Sequence, residues 1–298
     1  MGGNGKMHIY TRTVVAIPAA YKEDQSLDLE STKKYVEYLD SQNVGTVMTT
    51  AGTSHFNLLS MGEIHKLNES VVKSFSGQKI IGVPALSLDM AKEFVKTAHN
   101  YLDEKSNLMF LYPDRYYTDE LIESYMESVG LECKNSIYIH GKTVRNAVGG
   151  SWDYNSKVIN NLFYKGILRG IKEEHSQLNK SYDFVSDLNK HIDVIVAGGS
   201  MRRFEFLHSA GANSFLSGVG NLFPKIEQQY LDGNKEGPLE VEKKMFKVFM
   251  KYGWHKSLRI ALDYLDLTCY NNREPWPATT LEERLEIANI IEEIKYEK

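Results

Sequence analysis

From Thr13 onward, short apolar runs alternate with longer amphipathic stretches, and this alternation constrains the fold more than any other feature of the 298-residue chain. The runs that read as strands are Thr13–Ile17, Gly45–Thr50, Lys79–Val83, Asn107–Leu111, Asn135–Ile139, Leu168–Lys172, Asp193–Ala197 and Ser214–Leu216. They are short and mostly apolar on both faces, as parallel strands covered on both sides must be. Between them lie helical patterns. In Leu29–Leu39 the residues Leu29, Tyr35, Val36 and Leu39 share one stripe, and Leu88–Ala98 and Thr118–Val129 repeat the arrangement. Seven such units and a last strand predict an α/β fold, a (β/α)8 TIM barrel. A doubly wound sheet is the alternative. It usually has fewer strands and an early phosphate loop, and neither GxGxxG nor a GxxxxGKS/T loop occurs here.

The pattern changes after Pro224. From Ile226 the chain reads as helix only, over Glu240–Tyr252, His255–Leu265 and Leu281–Tyr296. The expected division is therefore a barrel over residues 1–225 and a C-terminal helical region over residues 226–298. No Pro/Gly/Ser-rich linker separates them, so the second should pack on the first. The stretch Asn271–Pro277 holds two prolines and predicts a stiff extended loop. Thr279 or Thr280, with Glu282 or Glu283, supplies a capping box for the last helix.

Bulk properties exclude several function classes. The formal net charge is −4 and the charges are mixed along the chain, so no basic footprint for nucleic acid is expected. The two cysteines, Cys133 and Cys269, lack metal-binding spacing and fit reduced thiols in a cytoplasmic protein. No stretch approaches the roughly 20 apolar residues of a membrane span, and the polar start, Met1 to His8, lacks the apolar core of a signal peptide.

In a barrel of this kind, chemistry belongs at the C-terminal ends of the strands. Lys172 closes an apolar run there. Burial disfavours an ammonium, and a neutral amine is the nucleophile that attacks a ketone. A lysine whose head reaches solvent at the rim is the competing reading. Tyr138 lies between Ile137 and Ile139, so it should face the barrel interior, as a proton carrier or as a packed core tyrosine. The Gly52-Thr53-Ser54 turn offers amides and hydroxyls that suit a carboxylate. Gly198 and the Gly218-Val219-Gly220 stretch allow a ligand close to the backbone, or only tight turns. His55, His140 and His175 sit near strand ends and could meet; metal catalysis is not expected, because no set of acidic residues closes several strands.

In this order and spacing, these residues resemble the dihydrodipicolinate synthase and N-acetylneuraminate lyase family over nearly the whole chain. The carriers are Val14–Pro18 with Leu27–Glu30, Ser136-Ile137-Tyr138, Gly170-Ile171-Lys172-Glu173, Gly211–Gly218 and Arg273–Pro277. The resemblance implies a class I aldolase or lyase that binds a pyruvate-type 2-oxo acid as an imine on Lys172, with Tyr138 relaying protons. It implies no cofactor and a homo-oligomer, dimer or tetramer. The substrate carboxylate would sit on Gly52, Thr53 and Ser54. Tyr112, Arg145, Gly198 and Leu216 would complete the pocket, with Lys142 as an alternative to Arg145. In the family's Gly-Thr-Thr-Gly-Glu loop the first threonine is replaced by Gly52 and the glutamate by His55. Pro113 stands where a second relay tyrosine is expected. A divergent member with an unassigned second substrate is the expectation. A sugar-acid lyase or dehydratase, or a non-catalytic ligand-binding homologue, are the alternatives.

Overall fold

The computed structural model describes residues 12–113, 118–141 and 155–296. Eight parallel strands close a barrel in sequence order. They are β1 (Arg12–Ala16), β2 (Thr46–Thr49), β3 (Gln78–Val83), β4 (Ser106–Leu111), β5 (Ile137–His140), β6 (Leu168–Glu173), β7 (Asp193–Val196) and β8 (Ser214–Leu216). The helices that follow them are α1 (Leu29–Ser41), α2 (Met61–Ser74), α3 (Leu88–Ala98), α4 (Asp119–Gly130), α5 (Ser156–Tyr164), α6 (Leu178–Ser186), α7 (Ser200–His208) and α8 (Pro224–Leu231). Three more, α9 (Glu236–Tyr252), α10 (Trp254–Tyr264) and α11 (Leu281–Tyr296), follow the completed barrel. The boundary expected at residue 225 falls inside α8, where Pro224 occupies the first turn that proline tolerates.

Helix starts follow from local chemistry. The Asp28 carboxylate accepts from the Ser31 amide at 3.1 Å to begin α1. Ser60 and Glu63 form a capping box at α2. The box expected at α11 forms between Thr280 and Glu283, with amide contacts of 2.8 and 3.2 Å.

Side chains divide into two apolar bodies, as the pleat requires. The larger lies between sheet and helices and includes Val15, Val47, Ile81, Phe110, Ile139, Ile171 and Phe215. The smaller fills the barrel interior: Val14, Met48, Ile80, Met109, Tyr138 and Ile195, with Leu216 against them. The barrel is thus packed through its middle.

β5 differs most from the sequence expectation. It was predicted over Asn135–Ile139 and runs Ile137–His140. The Asn135 side-chain Nδ2 instead donates to the carbonyls of Asp103 and Ser106, each at 2.9 Å, which holds the residue in the preceding turn. A register irregularity against β6 falls between Ile137 and Tyr138. The consequence is that His140, which the pattern left outside, becomes the last residue of the strand and pairs with Lys172.

The C-terminal helices reach the barrel top. The Glu242 carboxylate on α9 accepts from the amides of Met201 and Arg202, at 2.8 and 3.1 Å, at the start of α7. Arg259 on α10 is buried and donates to the carbonyls of Ala19, after β1, and Asn271. Among the described residues no helix is long and apolar enough to cross a membrane.

Candidate active site

Lys172 is buried at the upper end of β6, 4% exposed. Its ammonium nitrogen lies 3.2 Å from Nε2 of His140 and 3.3 Å from Oε2 of Glu174. The same Nε2 and Oε2 atoms are 2.8 Å apart. The three groups form a triangle, and its proton count is constrained. An imidazole Nε2 either accepts a hydrogen bond or donates one. It can accept from Lys172 or donate to Glu174, but it cannot do both at once. The triangle therefore has two proton arrangements that differ by a short transfer, as a proton relay needs.

The backbone around Lys172 is fixed from outside the barrel. The next residue, Glu173, points away from the interior and is fully buried. It accepts from the His175 amide at 2.7 Å, His175 Nδ1 at 2.9 Å, the Ser181 hydroxyl at 2.8 Å and Arg203 at 3.1 Å. Burial alone would raise the Glu173 pKa, yet these donors hold it below the ordinary carboxylate value. A buried carboxylate held by these donors anchors the residue next to Lys172.

Tyr138 faces the interior as expected, but it does not meet Lys172. It lies two residues below His140 on the same face of β5. Its hydroxyl donates to Asp193 Oδ2 at 2.6 Å, and Arg169 Nε donates to it at 3.2 Å. Arg12 also pairs with Asp193. Asp193 and Arg12 begin their strands, so the phenol points towards the closed lower end. Burial, together with the negative charge of Asp193, raises its pKa well above the ordinary phenol value. Gly170 makes this possible: a Cβ there would stand 2.5 Å from the Tyr138 ring. The group within hydrogen-bond reach of the Lys172 amine is His140, while the Tyr138 hydroxyl is held by Asp193. The alternation correctly indicated which face Tyr138 occupies. It carried no information on height along the barrel, which the irregularity at Ile137/Tyr138 sets.

The turn after β2 carries the other expected residues. Thr50 has φ 55° and His55 φ 50°, and a left-handed β-branched threonine is strained. Between them Gly52–Ser54 forms a single 3₁₀ turn. The amides of Ser54 and His55 close that turn onto Ala51 and Gly52 at 3.0 Å. The amides of Gly52 and Thr53 begin it, where a turn leaves its donors open. The Ser54 hydroxyl is already committed to the Ile17 carbonyl at 2.5 Å, so it anchors the turn to β1 rather than serving a ligand. The Thr50 hydroxyl is likewise bonded to Asn68.

His55 turns away from the barrel axis. Its ring lies 4.3 Å from that of Trp276 and 5.5 Å from that of His255. Burial, with Arg259 and His255 nearby, pushes its pKa down to about 3, so it is neutral. A Cβ on Gly52 would stand 3.9 Å from His255, so the C-terminal region backs the turn directly. Sequence reasoning missed this contact because α10 is remote in the chain. The three histidines near strand ends separate: His55 goes to Trp276, His140 to Lys172 and His175 to Glu173. Among the described residues no cluster of three metal-ligating side chains exists.

Tyr112 lies on the other side of the sheet. Its ring belongs to the outer core between sheet and helices, because it alternates with Leu111 and shares the face of Phe110. Leu111 instead lines the mouth beside His140. Leu216 packs on the interior cluster below the mouth. Gly198 has φ 75° and lies against Glu174, with 3.8 Å between its Cβ position and Glu174 Cγ. Arg145 and Lys142 lie outside the described residues.

No protein-family model matches the sequence, and no curated protein matches it. Solved structures do. Dihydrodipicolinate synthase from Oceanobacillus iheyensis aligns with a TM-score of 0.80 at 20% identity, over 96% of this chain and 97% of that one. The synthase from Aquifex aeolicus gives 0.81 at 16% identity, over 96% and 98%. N-acetylneuraminate lyase from Fusobacterium nucleatum gives 0.81 at 14% identity, over 96% and 99%. Over nearly its full length, the chain has the barrel with added C-terminal helices that dihydrodipicolinate synthases and N-acetylneuraminate lyase share.

Proposed function

We propose that the chain is a class I, Schiff-base-forming lyase or aldolase acting on a pyruvate-type 2-oxo acid. The observation that carries this reading is the buried amine of Lys172 at 3.2 Å from His140 Nε2, at the open end of the barrel. An amine needs a base to lose its proton before attack and an acid to expel water from the carbinolamine. His140 stands in the position to do both, and Glu174, 2.8 Å away, takes up or returns the proton between steps. The substrate carboxylate fits the open amides of Gly52 and Thr53. The likeness in fold to the synthases and the lyase supports the same reading.

Incubation with pyruvate and borohydride, followed by digestion and mass mapping, tests it. The expected result is a reduced adduct on the peptide containing Lys172. No adduct, or one that persists in Lys172→Ala, contradicts it. A second reading, a barrel that binds its ligand without turnover, is favoured by one contact. Glu174 at 3.3 Å stabilises the ammonium form of Lys172, which is not a nucleophile. It predicts ligand binding with no adduct.

A further inference from the structure

The turn that receives the carboxylate in the reading above is held in a costly shape, and a buried residue behind the mouth bears on it. Thr50 joins β2 to the turn with φ 55°, a left-handed conformation that a β-branched residue avoids. It lines the cleft at His140 together with Ala51, Gly52 and Gly82. Its carbonyl takes the space left by the missing side chain of Gly82 on β3, where a Cβ would collide with the Thr50 oxygen. Its hydroxyl donates to the side-chain oxygen of Asn68.

Asn68 belongs to α2 and is fully buried. Its companions on the buried face of that helix are Ile64, Leu67, Val71 and Val72. A carboxamide in such company loses its hydration, and a hydrogen bond must compensate. The bond from Thr50 does so. Tyr101, whose hydroxyl lies 2.9 Å from His65 Nδ1 three residues earlier on α2, stands beside the same amide.

The two ends of the turn are thus pinned to different elements. The Ser54 hydroxyl ties the far end to the Ile17 carbonyl after β1, and the Thr50 hydroxyl ties the near end to α2. The amides of Gly52 and Thr53 lie between these pins. If Thr50 relaxed to an ordinary φ, the chain entering the turn would change direction and both amides would move.

Resting on the imine reading and its placement of the substrate carboxylate, we propose that Asn68 is a positioning residue for the 2-oxo acid. By accepting from Thr50 it holds that residue left-handed, and so keeps the Gly52 and Thr53 amides where the carboxylate binds. Loss of this hold weakens capture of the acid and leaves the amine of Lys172 and its neighbours as they are.

The test follows imine formation by borohydride quench over a range of pyruvate concentrations, which separates the half-saturating concentration from the maximal rate. Asn68→Leu, similar in size but unable to accept, is expected to raise the half-saturating concentration by about 10-fold, the size of one lost hydrogen bond, while the maximal rate changes by less than about 2-fold. Thr50→Val removes the donor instead and should show the same split, and the double variant should be no worse than either single one. Adding Thr50→Gly to Asn68→Leu supplies the left-handed backbone without the bond and should bring the half-saturating concentration back to within about 3-fold of the parent. An unchanged half-saturating concentration in either folded single variant, a fall in maximal rate as large as that rise, or a rise that the glycine leaves untouched overturns this inference and leaves the imine reading standing. Absence of the adduct in the parent protein overturns both.

Discussion

The lower and upper halves of the barrel interior hold similar residue types in opposite conditions. Below the apolar middle, Tyr138, Asp193, Arg12 and Arg169 form a network in which donors and acceptors are complementary. Above it, His140, Lys172 and Glu174 form a triangle in which one nitrogen faces two partners that make incompatible demands on it. In the first, each of these bonds has a fixed donor and acceptor. In the second, His140 Nε2 can satisfy only one of its two neighbours at a time. Two inward residues of one strand, Tyr138 and His140, thus stand in two different hydrogen-bond environments.

Substitutions can break this division. The largest expected effect is at Lys172. Lys172→Ala should reduce turnover of any 2-oxo acid aldol pair to background, because no other described amine faces His140 in the mouth; a steady-state assay on folded protein checks it. Next, Asp193→Asn removes the charge that pairs with Arg12 and accepts from Tyr138. It should cost about 3 kcal/mol of stability, as expected when one partner of a buried pair is removed, while kcat in the folded fraction is unchanged. Denaturant titration and a rate measurement on the same sample separate the two.

A comparable effect comes from buried Glu227, whose carboxylate accepts from the Gly218 amide after β8 at 2.8 Å. Burial, the largest influence, raises the Glu227 pKa from 4.5 to about 7 despite the amide hydrogen bonds it accepts. Its folded pKa lies above its unfolded one, so its protonation stabilises the folded state. That contribution is fully present below pH 4.5 and is lost as pH rises through about 7. The shift corresponds to roughly 3 kcal/mol. Stability should therefore fall between pH 5 and pH 8, and Glu227→Leu should flatten that slope. An unchanged slope in the variant contradicts the assignment. The smallest effect is expected for Tyr138→Phe, about 1 kcal/mol of stability from one lost hydrogen bond.

The barrel was legible in the sequence because its strands are buried on both faces and its helices on one. Both patterns repeat locally, in units short enough to read residue by residue. The end of β6 was legible for the same reason: Gly170-Ile171-Lys172 is one short apolar run with a charge at its end. Tyr138 shows where that reading stops. Alternation gives the face of a residue but not its level in the barrel. That level depends on Asn135 bonding back to Asp103 and Ser106 and on the irregular pairing with β6, neither of which has a local signal. Tyr112 failed for a related reason, since one step along β4 moves a side chain from mouth to outer core. The contacts of His55 with His255 and Trp276 were invisible because about 200 residues separate the partners and only the closed fold joins them.

In the proposed mechanism His140, and not Tyr138, works with Lys172. The most direct measurement is the rate at which the pyruvate imine forms, sampled by borohydride quench at successive times in His140→Gln and Tyr138→Phe. His140→Gln is expected to slow imine formation by about 100-fold or more, in the range for loss of a general acid–base group, while Tyr138→Phe keeps nearly the parent rate. A slow Tyr138→Phe beside an unimpaired His140→Gln would contradict it.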